Sequence, residues 1–232
     1  MKKTKKFSLV IFGTGEIAKL AKYYFDHDSA YEVVAFTVDD SYCKTDTFEN
    51  LPLIPWSQVE KRFSPSNFNM HVALSYMKIN QLRQEKYEQV KAAGYKLASY
   101  ICSKSVTWPD LSIGDNCFIL ENQTIQPTCI IGNNVMMWSG NHIGHGTEIG
   151  NHTYLASHVV LSGHCKIGER CFIGVNATFR DFITIGEDCF IAMDASVSRD
   201  LPSGSVALGS PAKILLSEDK RANIIKKKYF KL

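Results

Sequence analysis

Two histidines, His142 and His145, flank a single isoleucine in WSGNHIGHGTEIG, residues 138–150. A neutral imidazole, with an ordinary pKa of about 6.5, can take a proton from an amine or a hydroxyl near neutral pH. The nearby carboxylates Glu148 and Asp181 are candidates to orient such a ring. His152, His158 and His164 follow, but no two histidines stand at a recognisable zinc-ligand spacing, so no metal site is expected. Which ring can reach a substrate depends on what the surrounding pattern does with each position.

That pattern is a repeat. The dipeptide IG recurs at 113–114, 131–132, 149–150, 167–168 and 185–186, a period of 18 without a slip. Every sixth residue from Ile113 to Val197 is large and apolar, including Ile125, Met137, Ile143, Leu155, Leu161 and Phe179. A helix turning 100° per residue cannot hold such a stripe on one face, and an ordinary strand would repeat every two residues. Three short strands per turn, each pointing one bulky side chain inward, satisfy the pattern; this is a parallel β-helix of about five turns. Four positions after each large residue the chain is mostly small, so Cys117, Cys129, Cys165, Cys171 and Cys189 read as packing residues.

Residues 18 apart become vertical neighbours, roughly 4.8 Å from one another. His145 then occupies an outward turn position between Pro127 and Gly163, where a glycine leaves a notch for a substrate. His142 stacks between Thr124 and Val160 and reads as a turn histidine bonded to backbone. His145 is the expected base. Outward apolar residues such as Met136, Trp138, Tyr154 and Phe172 are expected to be covered by neighbouring copies.

The first hundred residues follow another rule. FSLVIFGTGEIAKLAKYYF reads as strand, glycine turn and helix; EVVAFTVDD, HVALSY and KLASYI read as further strands, with a helix through INQLRQEKYEQVKAAG. Alternating strands and helices imply a small parallel, Rossmann-like α/β sheet over residues 1–104, ahead of the β-helix over 105–232. Gly13 and Gly15 open a helix, where backbone N–H groups and the helix dipole favour a phosphate. Asp39 follows the second strand, where a ribose-binding acid would sit.

The totals agree with a soluble globular protein. The chain has 232 residues, 45% hydrophobic and 21% charged, and no apolar run near the ~20 residues of a membrane span. MKKTKKFSLVIF imitates a signal peptide, but GTG interrupts its short apolar part, so a cytoplasmic protein is expected. A net charge of +3 argues against a nucleic-acid partner.

The uninterrupted hexapeptides, the glycine turn ending in Lys19 and GSPAK at 209–213 together resemble the bacterial left-handed β-helix acyltransferases that carry an N-terminal nucleotide-sugar-binding domain. These include N-acetyltransferases of nucleotide-linked amino sugars and sialic acid O-acetyltransferases, which serve surface polysaccharide synthesis such as that of lipopolysaccharide O-antigen. The resemblance implies a homotrimer with acetyl-CoA lying between neighbouring coils. It implies His145 as general base and Gly163, Gly209, Pro211 and Lys213 beside acetyl-CoA, with Gly13, Gly15, Lys19 and Asp39 holding the nucleotide-linked sugar. Relatives place a glutamate after the histidine; here that position is Gly146, so Glu148, Asp181 or a neighbouring subunit must orient the ring, or nothing does. N-acetylation leads O-acetylation because of the nucleotide handle; a non-catalytic trimeric β-helix scaffold is the rival class.

Overall fold

A computed structural model describes residues 7–232. The chain divides into two compact units: one comprises residues up to Ser75 together with Glu85–Tyr100, the other Tyr76–Gln84 together with Ile101–Leu232.

In the first unit a six-stranded sheet is built from β1 (Phe7–Phe12), β2 (Tyr31–Val38), β3 (Thr47–Phe48), β4 (Leu51–Pro55), β5 (Asn69–Val72) and β6 (Lys96–Leu97), in the order β3-β4-β2-β1-β5-β6. Helices α1 (Glu16–Asp28), α2 (Trp56–Arg62) and α3 (Gln81–Ala92) alternate with the strands. The sheet is parallel except at its edge, where β3 runs antiparallel to β4. The expectation of a purely parallel sheet is corrected there: SYCKTDTFENLPLIPW, with its turn residues, forms a tight antiparallel β3–β4 pair and leads into α2. Val10, Phe12, Ala35, Met70, Val72 and Val90 are fully or nearly fully buried in its core. Chain direction across the sheet reverses at β1, which has β2 on one side and β5 on the other. The ends of β1 and β5 therefore form the crevice where open α/β sheets bind ligands.

The second unit is the expected coil. Three stacks of two-residue strands run parallel: Thr124–Ile125 up to Ser196–Val197, Ser112–Ile113 up to Thr184–Ile185, and Phe118–Ile119 up to Phe190–Ile191. Each sixth residue points inward, so Ile125, Ile143, Leu161, Ile173 and Ile191 have no exposed surface. The three stacks together make a parallel β-helix of hexapeptide rungs.

Turns fall on residues with positive φ at every sixth position, from Asn116 through His152, His158 and His164 to Asp194. Asparagine, aspartate, histidine and glycine tolerate that backbone best. Three of the coil's histidines thus have a conformational reason for their places, whereas His142 and His145 stand elsewhere in the repeat.

One expectation fails. The outward face of the third stack is covered by the chain itself. Tyr76 packs edge-on against Tyr154 at 5.1 Å and Phe172 at 4.8 Å, and Phe230, from α4 (Lys220–Phe230), lies 5.3 Å from Phe172. Met136, Tyr154 and Phe172 are buried and Trp138 is half-buried, its indole N–H meeting the Tyr154 hydroxyl. An outward apolar position says that something covers it, and here an intramolecular helix does so.

Candidate active site

His145 lies in the turn after the strand His142–Ile143, and its side chain is exposed. A Cβ built on Gly163 would lie 2.8 Å from Cε1 and 3.0 Å from Nε2 of His145. The imidazole therefore leans over Gly163, and the missing side chain is what makes room for the ring. Gly146 stands in a positive-φ turn position with φ +65°, and a Cβ there would meet the His164 ring at 2.5 Å. A glutamate at 146 would be strained and would displace His164.

The partner of His145 comes from the rung below. Gln126 Oε1 accepts the backbone N–H of His145 at 2.9 Å and lies 3.1 Å from its Nδ1. Neither expected carboxylate takes that place: Glu148 reaches towards Lys166 at 3.7 Å, and Asp181 is exposed. On its other side the His145 ring meets His164 edge-on at 4.9 Å, and His164 stacks on the exposed Phe182, also at 4.9 Å. His142 has the expected neighbours Thr124 and Val160, but it sits half-buried on the outward face of a strand and not in a turn. Among the described residues, the Gly163 N–H donates to no other group.

Gly209, Pro211 and Lys213 lie in an exposed hairpin at the end of the coil, between the antiparallel strands Val206–Leu208 and Lys213–Leu215. The hairpin is tied to the last rung by Ser196, whose N–H donates to Gly209 O and whose carbonyl accepts from Ala212.

In the first unit, Gly13 follows β1 with φ +131°, and a Cβ on it would lie 2.7 Å from Ala73 O at the end of β5. The turn thus occupies the crevice where the sheet order reverses. Gly15 precedes α1 without a side-chain cap and has open space where a Cβ would be. Lys19 and Asp39 are both already engaged. Lys19 pairs with Glu16 at 2.9 Å, which pushes its pKa up, and Asp39 pairs with Lys86 at 2.9 Å. Burial pushes the Lys86 pKa down, but the Asp39 and Glu85 carboxylates outweigh it and the net shift is upward. Lys86, whose Nζ also lies 6.0 Å from the Phe12 ring, carried no signal in the sequence beyond its place in a charged helix. Beyond β2 a cleft of about 450 Å³ is lined by Asp40, Cys43, Lys44, Asp46 and Gln58.

Among the described residues no group of three or more histidine, cysteine, aspartate or glutamate side chains is placed to hold a metal ion, and no helix is long and apolar enough to cross a membrane.

Residues 128–163 and 164–199 match the bacterial transferase hexapeptide family (six repeats). No curated protein sequence matches. Among solved structures, the chain is similar to PerB from Caulobacter crescentus, solved with CoA and GDP-perosamine, at 25% identity over 90% of this chain and 97% of that one, with a TM-score of 0.78. The acetyltransferase domain of PglB from Neisseria gonorrhoeae FA1090 shares the fold at 24% identity over 90% of this chain and all of that one, with a TM-score of 0.77. The same domain in complex with acetyl coenzyme A matches at 22% identity over 91% of this chain, with a TM-score of 0.75. The resemblance to hexapeptide-repeat sugar acyltransferases is thus present in the repeat and in the fold.

Proposed function

We propose that this hexapeptide-repeat acyltransferase moves the acetyl group of acetyl-CoA onto the amine of a nucleotide-linked amino sugar, with His145 as general base. The observation that carries this reading is the outward His145, seated over Gly163 and bonded through Nδ1 to Gln126, on a coil whose solved relative PerB holds CoA and GDP-perosamine.

The chemistry needs little machinery because a thioester is already activated. The sugar nitrogen gives up a proton to the His145 imidazole and attacks the thioester carbonyl carbon. The tetrahedral oxyanion collects a hydrogen bond, for which the unengaged Gly163 N–H is the donor of choice. The C–S bond then breaks, an amide forms, and the CoA sulfur leaves with the proton returned by the imidazole. No acyl-enzyme is required. Burial pushes the Cys129, Cys165 and Cys171 thiols up, the opposite of what an activated nucleophile needs.

In the first unit, a Rossmann-like nucleotide-binding role is supported by the position of Gly13 and Gly15 at the reversal of the sheet, where the uncapped start of α1 favours a diphosphate. Asp39, held by Lys86, is a ribose contact only if that pair opens. Gly209, Pro211 and Lys213 are assigned to acetyl-CoA, and three copies are assigned to the working assembly. Ile130, Val160, Val175, Phe182 and Met193 remain exposed on the coil as apolar surface for a trimer to cover. The reaction belongs in the cytoplasm and in surface polysaccharide synthesis.

The test is a panel of nucleotide-linked amino and hydroxy sugars incubated with protein and acetyl-CoA, with thiol release followed and products weighed by mass spectrometry. An acetyl adduct on an amino sugar supports the reading. Adducts only on hydroxyl acceptors, the sialic acid O-acetyltransferase pattern, would replace it with O-transfer, and acetyl-CoA binding without turnover would point to a scaffold.

A further inference from the structure

We propose that Gln126 is the positioning residue of this site: its side-chain carbonyl fixes His145 with the proton on Nδ1 and so leaves Nε2 as the basic nitrogen. The proposal rests on the acyl-transfer reading only for its catalytic consequence.

The geometry assigns the tautomer without any hydrogen being seen. A backbone N–H can only donate, so the Gln126 atom 2.9 Å from His145 N must be the amide oxygen. The same oxygen lies 3.1 Å from Nδ1, and an amide oxygen can only accept. Nδ1 therefore carries the hydrogen in the neutral ring, and the lone pair is on Nε2. The ring lies over Gly163, where a Cβ would stand 3.0 Å from Nε2, so residue 163 carries no side chain to crowd that nitrogen.

His152 shows the opposite arrangement. Asn134 Oδ1 faces Arg83 Nη1 at 3.3 Å and accepts from Asn116 Nδ2 at 2.8 Å. The other end of that amide, Nδ2, therefore donates to His152 Nδ1 at 2.9 Å. His152 then carries its proton on Nε2. In their neutral forms the two rings thus take opposite tautomers, each chosen by which end of an amide one rung below faces the ring. His152 is buried, while His145, with Nε2 released, is exposed.

An amide in this place also differs from a carboxylate. Both fix the tautomer, but a carboxylate favours the imidazolium and keeps the base protonated to higher pH. Other titratable or charged groups in this corner are His164, ring to ring at 4.9 Å; Asp110, which accepts the Thr128 N–H one rung below; and Asp181, which acts on the Cys165 thiol above. A purely structural Gln126 would resemble Asp110 and Asp200, whose oxygens cap the N–H groups of Thr128 and Thr184. It would be indifferent to the ring.

The experiment is long-range ¹H–¹⁵N correlation spectroscopy on protein labelled at histidine, with His145 assigned by its loss in His145→Asn. The expected wild-type pattern is a protonated Nδ1 and an unprotonated Nε2, with His152 reversed. Gln126→Leu should move His145 towards the Nε2–H form, and Gln126→Glu, which keeps both acceptor bonds, should restore Nδ1–H and shift the ring's titration upward. A wild-type His145 protonated on Nε2, or a titration unmoved in Gln126→Glu, would overturn the proposal, including if the leucine variant fails to fold. These spectra stand whether or not the protein transfers acetyl groups. With an acceptor in hand, Gln126→Leu should lower kcat roughly tenfold to hundredfold with little change in KM for acetyl-CoA. Gln126→Glu should recover kcat at high pH, with its ascending limb displaced to the alkaline side.

Discussion

The imidazole of His145 and the α-carbon of Gly163 share one space: a methyl group on Gly163 would stand 2.8 Å from Cε1 of the ring. The glycine is needed because of the histidine, since its φ is not in the left-handed region. Gly163→Ala should therefore fold and melt close to wild type while tilting the ring away from its bond to Gln126. A displacement of that kind costs up to about 10²-fold in turnover. Thermal melting together with kcat checks this; an active Gly163→Ala protein would show that the ring has freedom the packing denies it.

Gly13 and Gly15 are separable although one residue lies between them. Gly13 has φ +131° and no room for a Cβ beside Ala73 O, so Gly13→Ala should destabilise the first unit by about 1–3 kcal/mol. Gly15 faces open space, so Gly15→Ala should leave the melting temperature nearly unchanged. If a diphosphate docks there, it should raise KM for the nucleotide sugar severalfold and spare that for acetyl-CoA. Equal effects of Gly15→Ala on both substrates would detach this turn from nucleotide binding.

Six of the seven cysteines are buried and only Cys43 is partly exposed. Burial pushes the Cys129, Cys165 and Cys171 thiols up, so their thiolate fraction is small through neutral and mildly alkaline pH. A thiol reagent at pH 8 should modify Cys43 alone in the native protein and all seven after unfolding. Mass mapping of the adducts reads this directly. Fast native labelling within the coil would mean that the rungs open.

Arg83 is fully enclosed and its guanidinium meets the backbone carbonyls of Asn134 and His152 and the side-chain oxygen of Asn80. Burial pushes its pKa down to about 10. Arg83→Met should leave these acceptors short of donors and cost about 2–3 kcal/mol, seen as a lower melting temperature with the coil's secondary structure retained. A variant as stable as wild type would show that the acceptors find other donors.

Legibility in the sequence followed locality. A period of six puts every inward residue of the coil at a countable position, so Ile125, Ile143 and Leu161 could be placed by counting alone. His145 and Gly163 could be paired because vertical neighbours are always 18 apart. Gln126 escaped because it reaches His145 across 19 residues, a diagonal that depends on how a long side chain turns at the corner. The cover over Tyr154 and Phe172 escaped because α4 and Tyr76 lie outside the repeat, and the pairing of Asp39 with Lys86 because 47 residues separate them. Around the glycine turn, Lys19 and Asp39 were chosen by position in the chain, which says nothing about the partners that already hold them.

The most direct measurement is the pH dependence of kcat/KM for acetyl transfer in wild type, His145→Asn and His142→Asn. His145 is exposed, so its replacement should leave folding and acetyl-CoA binding intact while turnover falls by roughly 10²–10⁴, the usual worth of a positioned base. Wild type should show an ascending limb from a single base; His145→Asn should lose it and His142→Asn should keep it. A nearly active His145→Asn protein beside an inactive His142→Asn protein would contradict the account and move the base to the other side of Ile143.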